Sequence, residues 1–402
     1  MRADRLERLG LAVAWLLAAA ALANALLYVA SASPLFADLQ VYRLGLHHLG
    51  SGGSGLYDAR AVNHAPFTYP PVAAVLLAPL GALSVPAAGA VMTALSLVAL
   101  GFVARRCVPP GGPALPLLLA LALVSVPVRN VLFFGQVGLL LLVLVAADLL
   151  DVTPRRMRGA FVGVAAAVKL TPLVFVPLLW LGGRRREALV ATATAVLLSA
   201  VAAVALPSAS ATYWTDVLWQ TDRVGDVTGP RNRSLWGLVP HGGAGGMLLL
   251  GVAVAAVLVV AYVRAGRALR DGGNVAALAV AGMASVAVSP ISWSHHLVWL
   301  VPAEAVALAA RRFGRLAVLA VLTYRLPVGS AHALAVLQGA AALLVVALLP
   351  TKRPVPLDPR DTGRPLVGMA GFEPTTSSSR TRRATKLRHI PWYGGESSGE
   401  RG

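Results

Sequence analysis

Few ionisable groups in this chain stand apart from its arginine clusters, and the isolated ones are where chemistry is to be sought. Asp38, in Phe36-Ala37-Asp38-Leu39-Gln40-Val41-Tyr42, follows the first apolar run by a few residues. A carboxylate at a membrane-water boundary loses hydration, which raises its pKa toward the working range of a general base. The same residue would equally serve as an interfacial cap for a helix from Leu39 to Leu49. Asp58, after Tyr57, is the nearest competing carboxylate and lies further along a Gly/Ser loop. Lys169 is the only lysine before Lys352 and follows an apolar stretch, so it is either a functional cation at membrane depth or a snorkelling side chain. His295-His296 adjoin Trp293 at a segment start. Neighbours on a helix point about 100° apart, so this pair suits hydrogen bonding or charge toward a phosphate better than shared metal coordination.

Three further positions carry the same kind of ambiguity. Tyr69 before Pro70-Pro71 is an aromatic-belt residue or a sugar-stacking platform. Gln136, after Phe133-Phe134-Gly135, is a helix cap or a contact to a sugar hydroxyl. Arg129 departs from the placement of the other arginines, and a phosphate partner explains such an exception. No HExxH, CxxC, GxGxxG or Walker lysine is present, so no cofactor and no metal are expected.

The elements that must position these groups are membrane helices. Hydrophobic side chains make up 57% of the 402 residues and charged ones 13%, against about 25% charged in soluble domains. Long apolar runs without period-two alternation, bounded by Arg clusters and Pro/Gly loops, predict an all-α polytopic bundle of about 11–13 transmembrane or re-entrant helices. The single cysteine, Cys107, excludes an intrachain disulfide.

The net charge of +18 is mostly arginine at segment ends, which reports topology rather than a nucleic-acid partner. Placing every cluster from Arg105-Arg106 to Lys352-Arg353 on the cytoplasmic side puts the N-terminus there too. It puts on the external side the loops 31–71, with short helices, and 207–244 with Arg231-Asn232-Arg233-Ser234, together with Arg129 to Gln136 and Ser289 to His296, within a membrane domain spanning 1–350. Two intervals disturb the parity. Residues 72–104 hold two apolar pieces where one crossing is wanted. Residues 159–181 hold one run broken at Lys169-Leu170-Thr171-Pro172, either a kinked helix or a re-entrant hairpin with Lys169 at its tip. A further crossing is expected over Leu316 to Leu326. The basic tail 351–402 lacks hydrophobic periodicity and is expected to be disordered. Its Gly371-Phe372-Glu373-Pro374 matches translation of a tRNA T-arm sequence, so residues 368–391 are expected to be translated non-coding sequence.

Seven short motifs in order carry a resemblance. They are Asp38-Leu39-Gln40-Val41-Tyr42, Gly55-Leu56-Tyr57, Phe67-Thr68-Tyr69-Pro70-Pro71, Gly135-Gln136-Val137-Gly138, Lys169-Leu170-Thr171-Pro172, Asn232-Arg233-Ser234, and Ser289-Pro290-Ile291-Ser292-Trp293-Ser294-His295-His296. Together they resemble glycosyltransferase family 87 of the GT-C fold group, which includes polyprenol-phosphate-mannose-dependent α-1,2-mannosyltransferases of phosphatidylinositol mannosides. Departures fall at Gly138, where the family often has Asn, and at Ser294, where it often has a carboxylate or other polar group.

The resemblance implies a GT-C-like bundle in the cell membrane that moves a hexose from a polyprenyl-phosphate sugar to a glycolipid or glycan acceptor on the external face. It implies one inverting displacement with Asp38 as base. His295, His296, Arg129 and Lys169 would face the donor phosphate, and Tyr69, Gln136, Asn232 and Tyr42 would hold sugar or acceptor hydroxyls. The competing class is a transporter or flippase of a lipid-linked sugar, against which the lack of an internal repeat counts.

Overall fold

The computed structural model describes residues 2–31, 36–61, 65–239, 242–312, 314, 319 and 331–351. The expected crossing over Leu316 to Leu326 lies largely outside the described residues, and the tail from 352 onward, with its T-arm motif, lies wholly outside them.

The described residues are helical. In chain order the helices are α1 (Arg2–Ala30), α2 (Ala37–Leu49), α3 (Pro71–Leu77), α4 (Val85–Cys107), α5 (Ala114–Val124), α6 (Val126–Phe134), α7 (Gly138–Leu149), α8 (Ala160–Val168), α9 (Phe175–Leu181), α10 (Arg185–Ala205), α11 (Pro207–Thr215), α12 (Leu235–Leu238), α13 (Gly243–Arg270), α14 (Asn274–Val288), α15 (Leu300–Ala309) and α16 (Ala331–Leu348). Short 3₁₀ turns interleave them, among them Thr171–Val174 before α9 and Ser294–Trp299 before α15.

Four helices, α1, α4, α10 and α13, are long and apolar enough to cross a bilayer. The pair α5 and α6 would make a fifth span, bent by 62° at Ser125. Pro127 enters α6 in its first turn, where its missing N–H costs nothing. Shorter apolar helices, including α7 and α14, pack inside this frame, and α14 is buried along nearly its whole length. The polytopic all-α bundle is therefore the observed architecture.

Both irregular intervals resolve. Residues 71–82 form only α3 and a 3₁₀ turn, so α4 alone is long enough to cross between 71 and 107. The 159–181 interval is a hairpin rather than a kinked helix. A Cβ on Gly159 would lie 2.1 Å from the Glu187 carbonyl oxygen, and one on Gly163 would lie 2.4 Å from that of Ala191, so α8 climbs beside α10 from its foot. After Lys169 the chain turns, and α9 descends to Gly182, three residues before α10 begins. Both ends of the hairpin thus share the foot of α10. There Arg184 pairs with Asp151 at 3.1 Å, and Asn274 donates to Asp151 at 2.9 Å. The head of α10 lies at the first loop, where the Ser208 amide donates to the Gly52 carbonyl at 3.1 Å.

Candidate active site

Asp38 stands in the first turn of α2, and two glycines decide where that turn goes. Phe36, at φ 56° in the left-handed region, donates its amide to the Phe133 carbonyl at 3.2 Å. Its ring presses onto Gly89 of α4 so closely that a Cβ there would come within 1.9 Å. Gly135 ends α6 at φ 66°, and a Cβ there would stand 2.8 Å from that of Leu39. Gly135 is required twice, for its backbone conformation and for the approach of α2. That approach brings Asp38 against Gln136.

The hydrogen bonds then fix Gln136. Tyr42 donates its hydroxyl to Gln136 Oε1 at 2.8 Å, and the Tyr69 hydroxyl reaches the same oxygen at 3.3 Å. The two phenolic oxygens lie 3.0 Å apart. With Oε1 taken by donors, the amide nitrogen faces Asp38 and donates to Oδ2. Burial pushes the Asp38 carboxyl above its ordinary range, and the Gln136 hydrogen bond and the charge of Lys169 offset part of that rise.

Lys169 sits at the hairpin tip, over the Tyr69 ring at 5.3 Å and 2.9 Å from His296 Nε2. The other ring nitrogen of His296 accepts the Trp293 amide at 3.1 Å. His295 is buried, stacks edgewise on His296 with centroids 4.5 Å apart, and has no hydrogen-bond partner at Nδ1 among the described residues. Asn130 of α6 donates to Ser294 at 2.6 Å and anchors the turn that carries both imidazoles.

These groups line one cavity of about 650 Å³. Asp38, Tyr42, Tyr69, Gln136, Lys169, His295 and His296 all border it, so seven of the nine residues singled out from the sequence converge. Asp38 is the only carboxylate among the lining residues described.

Arg129 and Asn232 do not border it. The Arg129 guanidinium lies over the Tyr28 ring at 4.0 Å, turned toward α1. Asn232 is buried with its amide fully engaged. It donates to the carbonyls of Val227 and Pro290, and it accepts the amides of Ser234 and Ser292. No atom is left for a sugar, so its expected role is corrected to joining the second loop to the segment before the histidines. Its neighbours Arg231 and Arg233 line the cavity instead, together with Arg223. The sequence names this Arg-Asn-Arg-Ser stretch, but not which side chain faces inward.

Comparisons with known proteins decide the family. The model of glycosyltransferase family 87 matches residues 67–290. The chain belongs to glycosyltransferase family 87. Similar curated members include a polyprenol-phosphate-mannose-dependent alpha-(1-2)-phosphatidylinositol mannoside mannosyltransferase of Mycolicibacterium smegmatis, 35% identical over 73% of this chain and 71% of the relative. The like-named Mycobacterium tuberculosis protein is 32% identical over 72% of this chain and 74% of its own length. A phosphatidylinositol pentamannoside mannosyltransferase of M. smegmatis is 33% identical over 66% and 68%. No solved structure matches the chain. In this family 87 glycosyltransferase, Asp38 and the two histidines fall just outside the stretch matched by the family model, on either side of it, yet meet Lys169 and Gln136 from within it.

Proposed function

We propose that the chain transfers a mannosyl residue from a polyprenyl-phosphate mannose donor to a hydroxyl of a glycolipid acceptor, with Asp38 as general base. The observation that carries the reading is a single carboxylate facing Lys169, His295 and His296 across one cavity. Asp38 removes the acceptor proton, the freed oxygen bonds to the anomeric carbon, and the carbon-oxygen bond to phosphate breaks with both electrons leaving on phosphate. The attack comes from the face opposite the departing group, so configuration inverts. Lys169 as an ammonium, with N–H groups donated by the imidazoles, stabilises the charge gathering on the phosphate, where electrostatic preorganisation acts most strongly. Tyr42, Tyr69 and Gln136 spend their polar atoms on one another and on Asp38, and so serve chiefly to aim the base.

The names of the relatives support a mannose donor and a phosphatidylinositol mannoside acceptor. The arginine clusters support a multi-pass cell-membrane protein with a cytoplasmic N-terminus and a cavity opening to the external face.

The test is transfer by purified protein from radiolabelled polyprenyl-phosphate mannose to phosphatidylinositol mannosides. Wild type forms product, and Asp38→Asn loses about 10²-fold or more while still binding donor. Undiminished transfer by Asp38→Asn removes the base assignment. Translocation of intact donor across proteoliposomes without product would favour the transporter instead.

A further inference from the structure

The contact between Lys169 and His296 fixes where the protons are. A backbone amide can only donate, so the Trp293 N–H at 3.1 Å occupies the lone pair of His296 Nδ1. The imidazole's own hydrogen must then sit on Nε2. Nε2–H points at Lys169 Nζ, 2.9 Å away, and that contact is a hydrogen bond only if Nζ offers a lone pair. An ammonium there would set two donors face to face, and the opposite imidazole tautomer would do the same at the Trp293 amide.

We propose that above neutral pH Lys169 is an uncharged amine in the empty site and takes up one proton when the donor's phosphate binds, becoming the cation that meets the leaving group. This rests on the polyprenyl-phosphate donor reading above. In the bound state Nζ gains an N–H bond to a proton from solvent, and both the ammonium and His296 Nε2–H turn their hydrogens to phosphate oxygens. No other bond changes. A site built this way does not hold a cation unpaired at depth before its anion arrives, a situation that is costly in a low-dielectric interior.

The surroundings are consistent with it. Facing Lys169 are Asp38 and Tyr42 from α2, Tyr69 from the loop before α3, and His295 and His296 from the turn before α15, with Arg233 of the second loop beside the imidazoles. Asp38 is the only group among them able to supply compensating negative charge, and its carboxyl is itself displaced toward the protonated form by burial. An uncharged Lys169 withdraws one of the influences opposing that displacement, so the two neutral forms reinforce each other.

The experiment is titration calorimetry of the full chain in detergent with a short-chain polyprenyl-phosphate mannose and no acceptor, in mildly alkaline buffers of differing ionisation enthalpy. The donor is a phosphodiester and does not titrate there. Wild type and Asp38→Asn should each take up close to one proton per donor bound, and Lys169→Arg, whose guanidinium stays charged, should take up none. Donor affinity of wild type should also fall as pH rises, approaching tenfold per unit. Binding without proton uptake by wild type, or equal uptake by Lys169→Arg, overturns the inference and leaves the transferase reading standing. If Lys169→Arg does not bind or fold, the wild-type affinity slope and buffer dependence decide alone. Failure of wild type to bind the donor at all would instead sink the donor assignment.

Discussion

At the scale of single residues, the proposed base is a lone carboxylate with its charge held in check. Burial raises the Asp38 carboxyl, and a general base works only when ionised, so activity should climb as pH rises through that elevated value. The acid limb of kcat/KM is expected above the ordinary aspartate value near ~3.9, and its loss in Asp38→Asn would assign it. The sign for stability is opposite. The folded state holds that proton more tightly than the unfolded chain, so ionising Asp38 costs stability as pH rises. Asn232→Ala should destabilise by about 2–4 kcal/mol, since two amides and two carbonyls lose their partner. The measurement is the midpoint of thermal unfolding, and it should fall together with activity although Asn232 does not border the cavity. Asp38, Lys169 and the histidines were legible in the sequence because an isolated ionisable group in an apolar chain has few structural uses. Arg129 and Asn232 stand off the cavity for a plain reason: residue type cannot reveal which way a side chain turns. Arg129 of α6 lies over Tyr28, and at 231–233 the flanking arginines line the cavity while the asparagine ties its loop to Pro290 and Ser292.

At the scale of elements, glycine decides the geometry. The Phe36 ring lies where any side chain on Gly89 would be, and its seat fixes the direction from which α2 leaves α1. Gly89→Val should therefore expel the ring and shift Asp38 away from Gln136. The expected result is a fall in kcat of about tenfold or more with donor affinity largely kept, since misplacing a reacting group by about 1 Å costs roughly 10²-fold. Steady-state kinetics beside donor titration would check it. The hairpin at 159–181 was visible in the sequence only as a choice between two shapes. Hydropathy and Pro172 mark a break, but a break has no direction; the packing of Gly159 and Gly163 lays α8 along α10, and the short Gly182–Arg184 link brings the end of α9 to the same foot. The extra piece at 71–82 misled for the opposite reason: apolar composition is shared by a span and by a short helix packed inside the protein.

At the scale of the whole molecule, the membrane class followed from composition, since a chain with so few charges has no means of covering a surface with polar groups. Convergence of the site did not follow from it. Motifs more than two hundred residues apart meet because the bundle closes on itself; the arginine clusters put them on one side, and order and resemblance suggested one site. The two sides of the cavity also have different roots. Asp38 hangs from the end of the protein where α10 finishes, while Lys169 rises on a hairpin anchored where α10 starts, 21 residues and about 30 Å below. The two sides of the cavity are thus carried from opposite ends of α10, a helix long enough to cross a bilayer, and bilayer thickness is expected to act on their separation. In vesicles of markedly shorter or longer acyl chains, mismatch strains the frame by fractions of a kcal/mol per Å, and turnover should pass through a maximum at one chain length. Lipid composition would then act on this transferase as a dial, with no ligand bound and no residue changed.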